Sequence, residues 1–247
     1  MSDIILVVPV YNEARRLIAD PWLQYLNADR SRALLFVDDG STDNTVALLQ
    51  QLRDHAPAQV SILQLPKNAG KAEAVRSGMV QALAETSRYA GFIDADLSAP
   101  LSEVGLLHDN LERYPDAWSA FGSRVKLLGR DIVRSERRHY LGRLFATFAS
   151  IALDLPVYDT QCGLKLFRNA GEVREIFAAP FQSKWIFDVE MLARLAQKAT
   201  GDVGRRIHEV PLERWEEHGA SRLRATDFLK APLELLRIHR AYRRAIK

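Results

Sequence analysis

The stretch IILVVPVYNE, residues 4–13, starts as an uninterrupted apolar run and ends in a polar cluster. A short apolar run bounded by polar residues is typical of a strand that is buried on both faces of a sheet. The leucines that follow, Leu17, Leu23 and Leu26, recur at helical spacing. We therefore predict a buried β-strand over residues 4–10, followed by an α-helix, at the start of the chain.

Strands and helices continue to alternate along the first hundred residues. Further strands are predicted at 33–37, 60–65 and 89–93, with helices through about His55 and over 71–85. Thr42 or Asp43 can cap the first of these helices. Four strands that alternate with helices imply a parallel sheet with right-handed crossovers and both faces covered.

The second half of the chain has a less regular pattern. Its extended segments are predicted at 117–122, 163–167 and 206–215, and its helices at 135–153, 185–198 and 228–245. No repeat, low-complexity tract or long linker divides the chain. We therefore predict one α/β domain over residues 1–247, with a mostly parallel sheet flanked by helices and a more irregular C-terminal half.

Composition excludes several classes of protein. Of the 247 residues, 47% are apolar and 26% are charged, which does not fit a disordered, collagen-like or disulfide-stapled chain. The single cysteine, Cys162, has no partner within the chain, which favours a reducing, intracellular compartment. The opening lacks the basic region of a signal peptide, and the longest uncharged apolar stretch, 144–153, is about half of the roughly 20 residues that a spanning helix needs.

Positive charge is concentrated in two segments, although the net charge is only +3. Residues 124–143 contain seven Arg or Lys and two Asp or Glu, and residues 222–247 contain eight and two. Such a distribution favours an anionic partner: nucleotide phosphate, nucleic acid or a membrane surface. Solvated helix faces are the alternative that charge alone leaves open.

Polar residues follow each predicted strand of the first half. Ligands of open parallel sheets bind beyond the carboxyl ends of the strands, so these clusters mark the candidate site. The GxGxxG pattern of dinucleotide-binding folds is absent, and NAGKAEA lacks the spacing of a P-loop. The clusters comprise Tyr11, Asn12 and Glu13, then Asp38, Asp39, Gly40 and Ser41, then Lys67, Asn68, Gly70 and Lys71, then Asp94 and Asp96.

Asp94 and Asp96 lie on the same side of an extended segment where the fourth strand ends. Two such carboxylates suit a hard divalent cation, Mg²⁺ or Mn²⁺, which could bridge to a diphosphate. The alternative is an acidic turn that only terminates the strand. The sequence blocks in the remainder of the chain help to decide between a cation site and an acidic turn.

Eight sequence blocks follow one another along the chain. They are VPVYNE, VDDGSTDNT, NAGKAEAVRSGM, DADLSAP, GSR at 122–124, DTQCGLKLF at 159–167, WIFDVEML at 185–192 and EVPLERW at 209–215. In order and spacing they resemble family 2 glycosyltransferases of the GT-A fold, and in particular the branch of dolichyl-phosphate β-glucosyltransferases and related polyprenyl-phosphate glycosyltransferases. The resemblance implies a Rossmann-like sheet with a nucleotide-sugar half, 1–100, and an acceptor half, 101–247.

The resemblance also implies roles for individual residues. The base of a UDP-sugar would lie among Pro9, Tyr11, Glu13 and Asp39, with Lys71 nearby. Asp94 would face the ribose or phosphate, and Asp96 would hold Mg²⁺ or Mn²⁺. Arg124 would bind phosphate, Asp159, Gln161, Asp188 and Glu190 would surround the sugar and acceptor, and Arg134 would bind the acceptor.

Two departures from the family pattern bear on the site. Ala72 stands where the family has a second glycine after the lysine, and Ser98 and Ala99 replace side chains that assist the metal in some relatives. Alanine at 72 is compatible with the loop conformation that the family has at this position. Ser98 and Ala99 leave the metal without the additional side chains that assist its binding in some relatives.

The resemblance implies an inverting single displacement, in which a polyprenyl phosphate displaces the nucleoside diphosphate from a hexose, and we expect this hexose to be glucose. The metal and arginines would neutralise the leaving diphosphate. A phosphate monoester, with a second pKa near about 6, is already an anionic nucleophile and needs no strong base. A soluble hydroxyl acceptor would need Asp159 or Asp188 as base. A catalytically silent nucleotide-sugar-binding protein is the other alternative.

Two basic segments are candidates for a membrane interface. Arg134, Arg137, Arg138 and Arg143 precede the apolar stretch 144–153, as in a helix that lies at a bilayer surface. Phe228, Leu229, Leu233, Leu236 and Ile238 are interleaved with arginines near the C-terminus. We expect a peripheral protein at the cytoplasmic face of a membrane, without nucleic acid as partner.

Cys162 is expected to be a packed residue and the six histidines to be structural or on the surface.

Overall fold

The computed structural model describes residues 2–199, 201–218 and 225–242, without the side chains of 136–141 and 225–230. The strands in chain order are β1, Ile4–Val10; β2, Arg32–Asp38; β3, Val60–Gln64; β4, Tyr89–Ile93; β5, Ser119–Ser123; β6, Asp131–Val133; β7, Leu164–Arg168; β8, Ile207–Pro211; and β9, Arg214–Glu216. The helices are α1, Ala19–Ala28; α2, Thr45–His55; α3, Lys71–Ala84; α4, Glu103–Arg113; α5, Glu136–Leu153; α6, Gly171–Ala178; α7, Phe187–Lys198; and α8, Ala225–Tyr242, with a short 3₁₀ turn at Val203–Arg205.

Seven of these strands form one sheet in the order β3-β2-β1-β4-β7-β5-β8. β1 pairs in parallel with β2 and β4, and β2 pairs in parallel with β3. β7 is antiparallel to both of its neighbours, β4 and β5, whereas β5 and β8 are parallel. The predicted α/β class and mostly parallel sheet are confirmed, with β7 as the reversed strand.

The side chains of β1 alternate between two cores, one on each face of the sheet. Ile5 and Val7 pack with Val75 and Met79 of α3 and with α6 and α7. Leu6 and Val8 pack with Trp22 of α1 and with α2 and α4. This period of two is the pattern of a strand covered on both faces, which explains why the run IILVV carries no polar residue.

The predicted strands of the first half are confirmed to within one residue at each end, and β1 and β4 have the predicted bounds. The predicted cap of α2, Thr42 or Asp43, is wrong: the N-cap is Asn44, whose side chain makes no capping hydrogen bond. Asp43 lies one residue earlier, and its Oδ1 accepts a hydrogen bond from the amide of Thr45 at 3.0 Å. The sequence did not predict α4, α6 or the three-residue strand β6.

The predicted extended segment 206–215 is two strands. β8 belongs to the large sheet, whereas β9 pairs in parallel with β6. The break follows Pro211, and the buried carboxylate of Glu103 accepts hydrogen bonds from the amides of Glu213 and Arg214 at 2.8 and 3.2 Å. Glu103 therefore satisfies the backbone where the chain leaves one sheet for the other.

No helix in residues 2–199, 201–218 and 225–242 has the length and apolarity needed to cross a bilayer. The helix predicted at 135–153 is confirmed as α5. The side chains of Arg137, Arg138, Phe228 and Leu229, which the sequence assigns to the membrane interface, lie outside the part of the chain that the structure describes.

Candidate active site

The candidate site lies along the edge where β1, β2 and β4 end and β7 begins. Because β7 runs antiparallel to β4, its first residue, Leu164, pairs with the last residue of β4, Ile93. The reversed strand therefore brings the preceding loop, 159–163, to the carboxyl ends of the parallel strands. This is how the block DTQCG comes to lie beside the block DAD.

Asp39 organises the loop that leads into α3. Its buried carboxylate accepts hydrogen bonds from the amides of Ala69 at 2.7 Å and Gly70 at 2.8 Å. Gly70 has a φ of +98°, a conformation that favours glycine, and α3 begins at the next residue, Lys71. Asp39 thus holds Lys71 in place through the backbone, and the predicted contact of Asp39 with a base stays a prediction.

Lys71 forms an ion pair with Asp94, with 2.6 Å between Nζ and Oδ1. Burial alone would lower the pKa of Lys71, but the charges of Asp94, Asp188 and Asp96 outweigh it and raise the pKa. Asp96 Oδ1 accepts a hydrogen bond from the Ser98 amide at 3.0 Å. We refer to Asp39, Lys71, Asp94 and Asp96 as the Asp94 cluster.

The first loop supplies the other predicted base-binding residues. Pro9 lies in β1 opposite Val37, and Tyr11 follows the strand and is half-buried. Glu13 is buried and accepts two hydrogen bonds from the guanidinium of Arg16, at 2.8 and 2.7 Å. These residues lie at the same sheet edge as Asp39, as the sequence predicts for strands that end together.

Arg124 and Asp159 form a bidentate ion pair at the end of β5. The guanidinium donates from Nε to Oδ2 at 2.6 Å and from Nη2 to Oδ1 at 2.8 Å, and the Arg124 amide donates to Oδ2. Burial alone would raise the pKa of Asp159, but the charge and hydrogen bonds of Arg124 override it and hold that pKa well below its usual range. The guanidinium also lies over the ring of Trp215, 5.3 Å from its centroid.

A small cleft opens beside this pair, between the loop 158–161 and the first half of α5. Arg134 rests against Gly142, where an added Cβ would lie 2.5 Å from Nη2, and Arg143 stacks 4.0 Å above the ring of Tyr158. We refer to the cleft as the arginine cleft; its lining includes Arg124, Arg134, Arg143, Tyr158, Asp159 and Gln161. The sequence assigned Arg143 to a membrane interface, and the structure places its side chain in the lining of the arginine cleft.

Lys165 is a buried residue of the site that sequence reasoning missed. Its Nζ lies 2.5 Å from Asp188 Oδ1 and donates to the carbonyl of Cys162 at 2.7 Å. The ammonium also lies 5.2 Å from the ring centroids of Phe92 and Phe121. Lys165 thereby joins Asp188 on α7 to the loop that carries Asp159; a lysine inside the apolar block GLKLF was the available signal.

Glu190 is fully buried, and its hydrogen-bond partners belong neither to the Asp94 cluster nor to the arginine cleft. Its carboxylate accepts hydrogen bonds from the amides of Gln182 and Ser183, from Arg194 and from the hydroxyl of Tyr242. These contacts tie α7 to the preceding turn and to α8. The predicted contact of Glu190 with an acceptor stays a prediction.

Cys162 is packed in the core beneath the loop, as the sequence predicts. Its side chain is 1% exposed, and burial is the largest effect that raises its thiol pKa, to about 11. A thiol in this state is a poor nucleophile. Cys162 is therefore not a candidate nucleophile.

The sequence and structure of the chain are similar to those of known glycosyltransferases. It is 31% identical to a dolichyl-phosphate beta-glucosyltransferase of Trichomonas vaginalis, over 94% of this chain and 69% of the relative, and 31% identical to one of Saccharomyces cerevisiae, over 96% and 74%. A third, from Dictyostelium discoideum, is 33% identical over 78% of this chain and 61% of its own length.

Among solved structures, glucosyl-3-phosphoglycerate synthase of Mycobacterium tuberculosis superposes with a TM-score of 0.65, at 20% identity, over 98% of this chain and 80% of that one. At this level of identity the match shows the fold, which is GT-A. The family model described as Glycosyl transferase family 2 matches residues 5–171. The chain belongs to glycosyl transferase family 2.

Proposed function

We propose that the chain transfers glucose from UDP-glucose to a polyprenyl phosphate, with inversion at the anomeric carbon. The names of the most similar relatives state this class of reaction for those proteins. One structurally similar synthase was crystallised with Mn²⁺, UDP-glucose and glycerol 3-phosphate, at a TM-score of 0.62 and 19% identity. These names support the donor and the acceptor that we propose here.

The observation that carries the proposal is that both candidate bases are paired with cations. Asp159 is bound by Arg124 through two hydrogen bonds, and Asp188 contacts the ammonium of Lys165. A hydroxyl acceptor would need one of them to remove a proton, which an ion-paired carboxylate does poorly. A phosphate acceptor is already an anion, so this arrangement favours it.

The arginine cleft has the charge that an acceptor phosphate requires. Arg124 follows β5, Arg134 follows β6 and Arg143 belongs to α5, and all three line the cleft. Arginine guanidinium groups bind phosphate through two donors at once. We propose that Arg124 contacts the reacting phosphate and that Arg134 and Arg143 hold it in place.

A divalent cation fits the Asp94 cluster when the donor completes its ligand set. Residues 2–199, 201–218 and 225–242 contain no group of three or more His, Cys, Asp or Glu side chains placed to hold a metal alone. Mg²⁺ and Mn²⁺ sites that act on diphosphates often use one or two carboxylates and the substrate oxygens. We propose that Asp96 holds Mg²⁺ or Mn²⁺, which supplies positive charge to the leaving diphosphate.

Lys71 and Asp94 would then act on the donor side. The ammonium of Lys71 is fixed at the start of α3, where the helix terminus also favours anions. We propose that this positive end faces the diphosphate, with Asp94 placed between Lys71 and the ribose. Pro9, Tyr11, Glu13 and Asp39 would line the base pocket.

The decisive experiment is transfer from radiolabelled UDP-glucose to polyprenyl phosphate, with the corresponding polyprenol as matched acceptor. We expect an organic-extractable, acid-labile glucosyl phosphate from the first and no product from the second. The rate should rise through about pH 6 as the acceptor phosphate loses its second proton. Transfer to the polyprenol or to soluble hydroxyls would favour the hydroxyl alternative, and UDP binding without any transfer would favour a silent protein.

Arg124→Gln should abolish transfer while UDP affinity stays the same, because the arginine lies on the acceptor side. Arg113→Gln, which changes an exposed arginine of α4, is the matched control and should retain full activity. Loss of UDP binding in Arg124→Gln would place the arginine at the donor instead.

We further propose peripheral association of α5 with the cytoplasmic surface of the membrane that contains the acceptor. Leu144, Phe148 and Ile151 are each more than half exposed and recur at helical spacing. Such a stripe beside arginines is typical of an interfacial helix. Leu144→Ser together with Phe148→Ser should weaken sedimentation with anionic vesicles, and unchanged sedimentation would contradict this placement.

A further inference from the structure

The segment between β5 and β6 ends in a turn that exposes two adjacent leucines. Leu128 is entirely exposed and Leu127 is 49% exposed. The amide of Arg130 donates to the carbonyl of Leu127 at 3.2 Å, and Gly129 between them has a φ of +80°. A glycine with positive φ at the third position is what a type II turn requires, so the glycine fixes the backbone that carries the two exposed leucines.

Both ends of this turn are fixed to the body of the protein. Arg124, before it, is bound to Asp159, and Arg130, after it, forms an ion pair with Glu213 at 2.6 Å. The amide of Asp131 also donates to the carbonyl of Glu213. The leucines therefore lie on a loop that is anchored on both sides, and the side chain of Leu128 is fully exposed to solvent.

The residues around the turn indicate which partner it fits. Lys126 is exposed immediately before the leucines, and Arg124 is only four residues before Leu128. At about 3.3–3.6 Å per residue, an extended chain places the Arg124 backbone within roughly 14 Å of Leu128. An apolar tip with an adjacent cation and a phosphate-binding arginine at this distance matches the layering of acyl chains and anionic headgroups in a bilayer.

We propose that Leu127 and Leu128 insert into the acyl boundary of the membrane and set the height of the arginine cleft at the level of the headgroup phosphates. This inference rests on the proposed function, because it takes the acceptor to be a membrane lipid. It adds a contact point distinct from α5, at the entrance to the acceptor site. Insertion would bring Arg124 to the acceptor phosphate without pulling the lipid out of the bilayer.

The direct test is Leu128→Cys labelled with an environment-sensitive fluorophore. The native thiol, Cys162, is buried with its pKa raised to about 11, so labelling near neutral pH is selective for the introduced cysteine. We expect a blue shift on addition of anionic phospholipid vesicles and quenching by lipids that carry a quencher in the acyl chain. Val80→Cys, an exposed position on α3, is the matched control and should show neither.

The functional test compares a vesicle-borne acceptor with a short-chain polyprenyl phosphate dissolved in detergent. Leu127→Ser with Leu128→Ser should lower transfer to the first by about tenfold or more, since each buried leucine contributes at least that factor to partitioning. Transfer to the dissolved acceptor should stay within about twofold of the wild type. Ile18→Ser with Val80→Ser, which changes two exposed apolar residues elsewhere, should alter neither rate.

An unchanged label spectrum in vesicles, with a wild type that transfers glucose, would overturn the inference. A blue shift that grows with protein concentration without vesicles would also overturn it, because another protein copy would then cover the turn. A vesicle-dependent shift with no transfer to any polyprenyl phosphate would support insertion and contradict the proposed function. The two failures are therefore distinguishable.

Discussion

The carboxylate of Asp94 occupies the space that a side chain at residue 163 would need. A Cβ added to Gly163 would lie 2.2 Å from Asp94 Oδ2, far inside contact distance. The amide of Asp94 also donates to the carbonyl of Gly163 at 3.1 Å. The glycine of DTQCG and the first aspartate of DAD are therefore complementary in shape, although they come from opposite halves of the chain.

Gly163→Ala should therefore displace Asp94 and lower transfer by about a hundredfold, the scale expected when a site group moves by about an ångström. The matched control is Gly105→Ala on α4, because an added Cβ there meets nothing within 4 Å. This substitution should stabilise the helix by about 0.5–1 kcal/mol and leave the transfer rate unchanged. Initial rates and thermal unfolding of both variants test this. Equal rates in wild type and Gly163→Ala would show that the loop accommodates the methyl group.

Asp96→Asn should lower transfer by about 10²–10³-fold and leave the fold intact, because an amide is a poor ligand for a hard cation. Chelation of divalent ions should have the same effect on the wild type, and added Mg²⁺ or Mn²⁺ should reverse it. Asp109→Asn, at an exposed position on α4, should be active. Full turnover of the wild type in chelator would refute metal dependence.

Asp39→Asn should weaken UDP binding by about tenfold. Ala69 and Gly70 each donate to a different carboxylate oxygen of Asp39, so an amide side chain would face one of these N–H groups with its NH2, a donor against a donor. Calorimetric titration with UDP measures this, with Asp54→Asn on the exposed face of α2 as control. Unchanged affinity in Asp39→Asn would place the nucleotide away from this loop.

Lys165→Met should lower the free energy of unfolding by about 3–5 kcal/mol, because Asp188 would keep its buried charge without a partner. Lys165→Met with Asp188→Leu should recover part of that loss by removing both charges. The surface substitution Lys198→Met should cost less than about 1 kcal/mol. Urea unfolding decides the matter; a double variant less stable than the single one would contradict the assignment.

Asp159→Asn should make the stability of the protein less sensitive to acid. The pKa of Asp159 is held below its usual range, so its pairing with Arg124 stabilises the fold fully above the unfolded pKa near about 3.9 and is lost as pH falls through the lower, folded pKa. The stability gap between wild type and variant should shrink from about pH 5 toward pH 2. A gap that stays constant over this range would show that Asp159 titrates alike in the folded and unfolded chains.

The sequence predicted best those strands whose own residues mark both of their ends, without reference to the neighbouring strands. IILVVPV and YAGFI are continuous apolar runs with polar stops, and β1 and β4 have the predicted bounds. The direction of β7 could not be read in this way, because the run LKLF is equally apolar in either orientation. Pairing direction is a tertiary property, set here by the neighbours β4 and β5.

The same distinction applies to the site. Asp94 and Lys71 were predicted to lie at one sheet edge because parallel strands end together, and the structure brings them into contact. The pairing of Arg124 with Asp159, and of Lys165 with Asp188, joins residues that are far apart in the sequence. No spacing rule connects such residues, because their proximity depends on how β7 and its preceding loop pack against β5 and α7 in the folded chain.

The position of β7 between β4 and β5 has a consequence for how the chain is made. During synthesis β4 emerges with β1 as its only neighbour, and its other edge stays open until Leu164–Arg168 has left the ribosome. An unpaired strand edge is a template for aggregation. A fragment that stops near residue 100 would retain this open edge permanently, so the sheet of residues 1–100 is closed only by a strand from the following part of the chain.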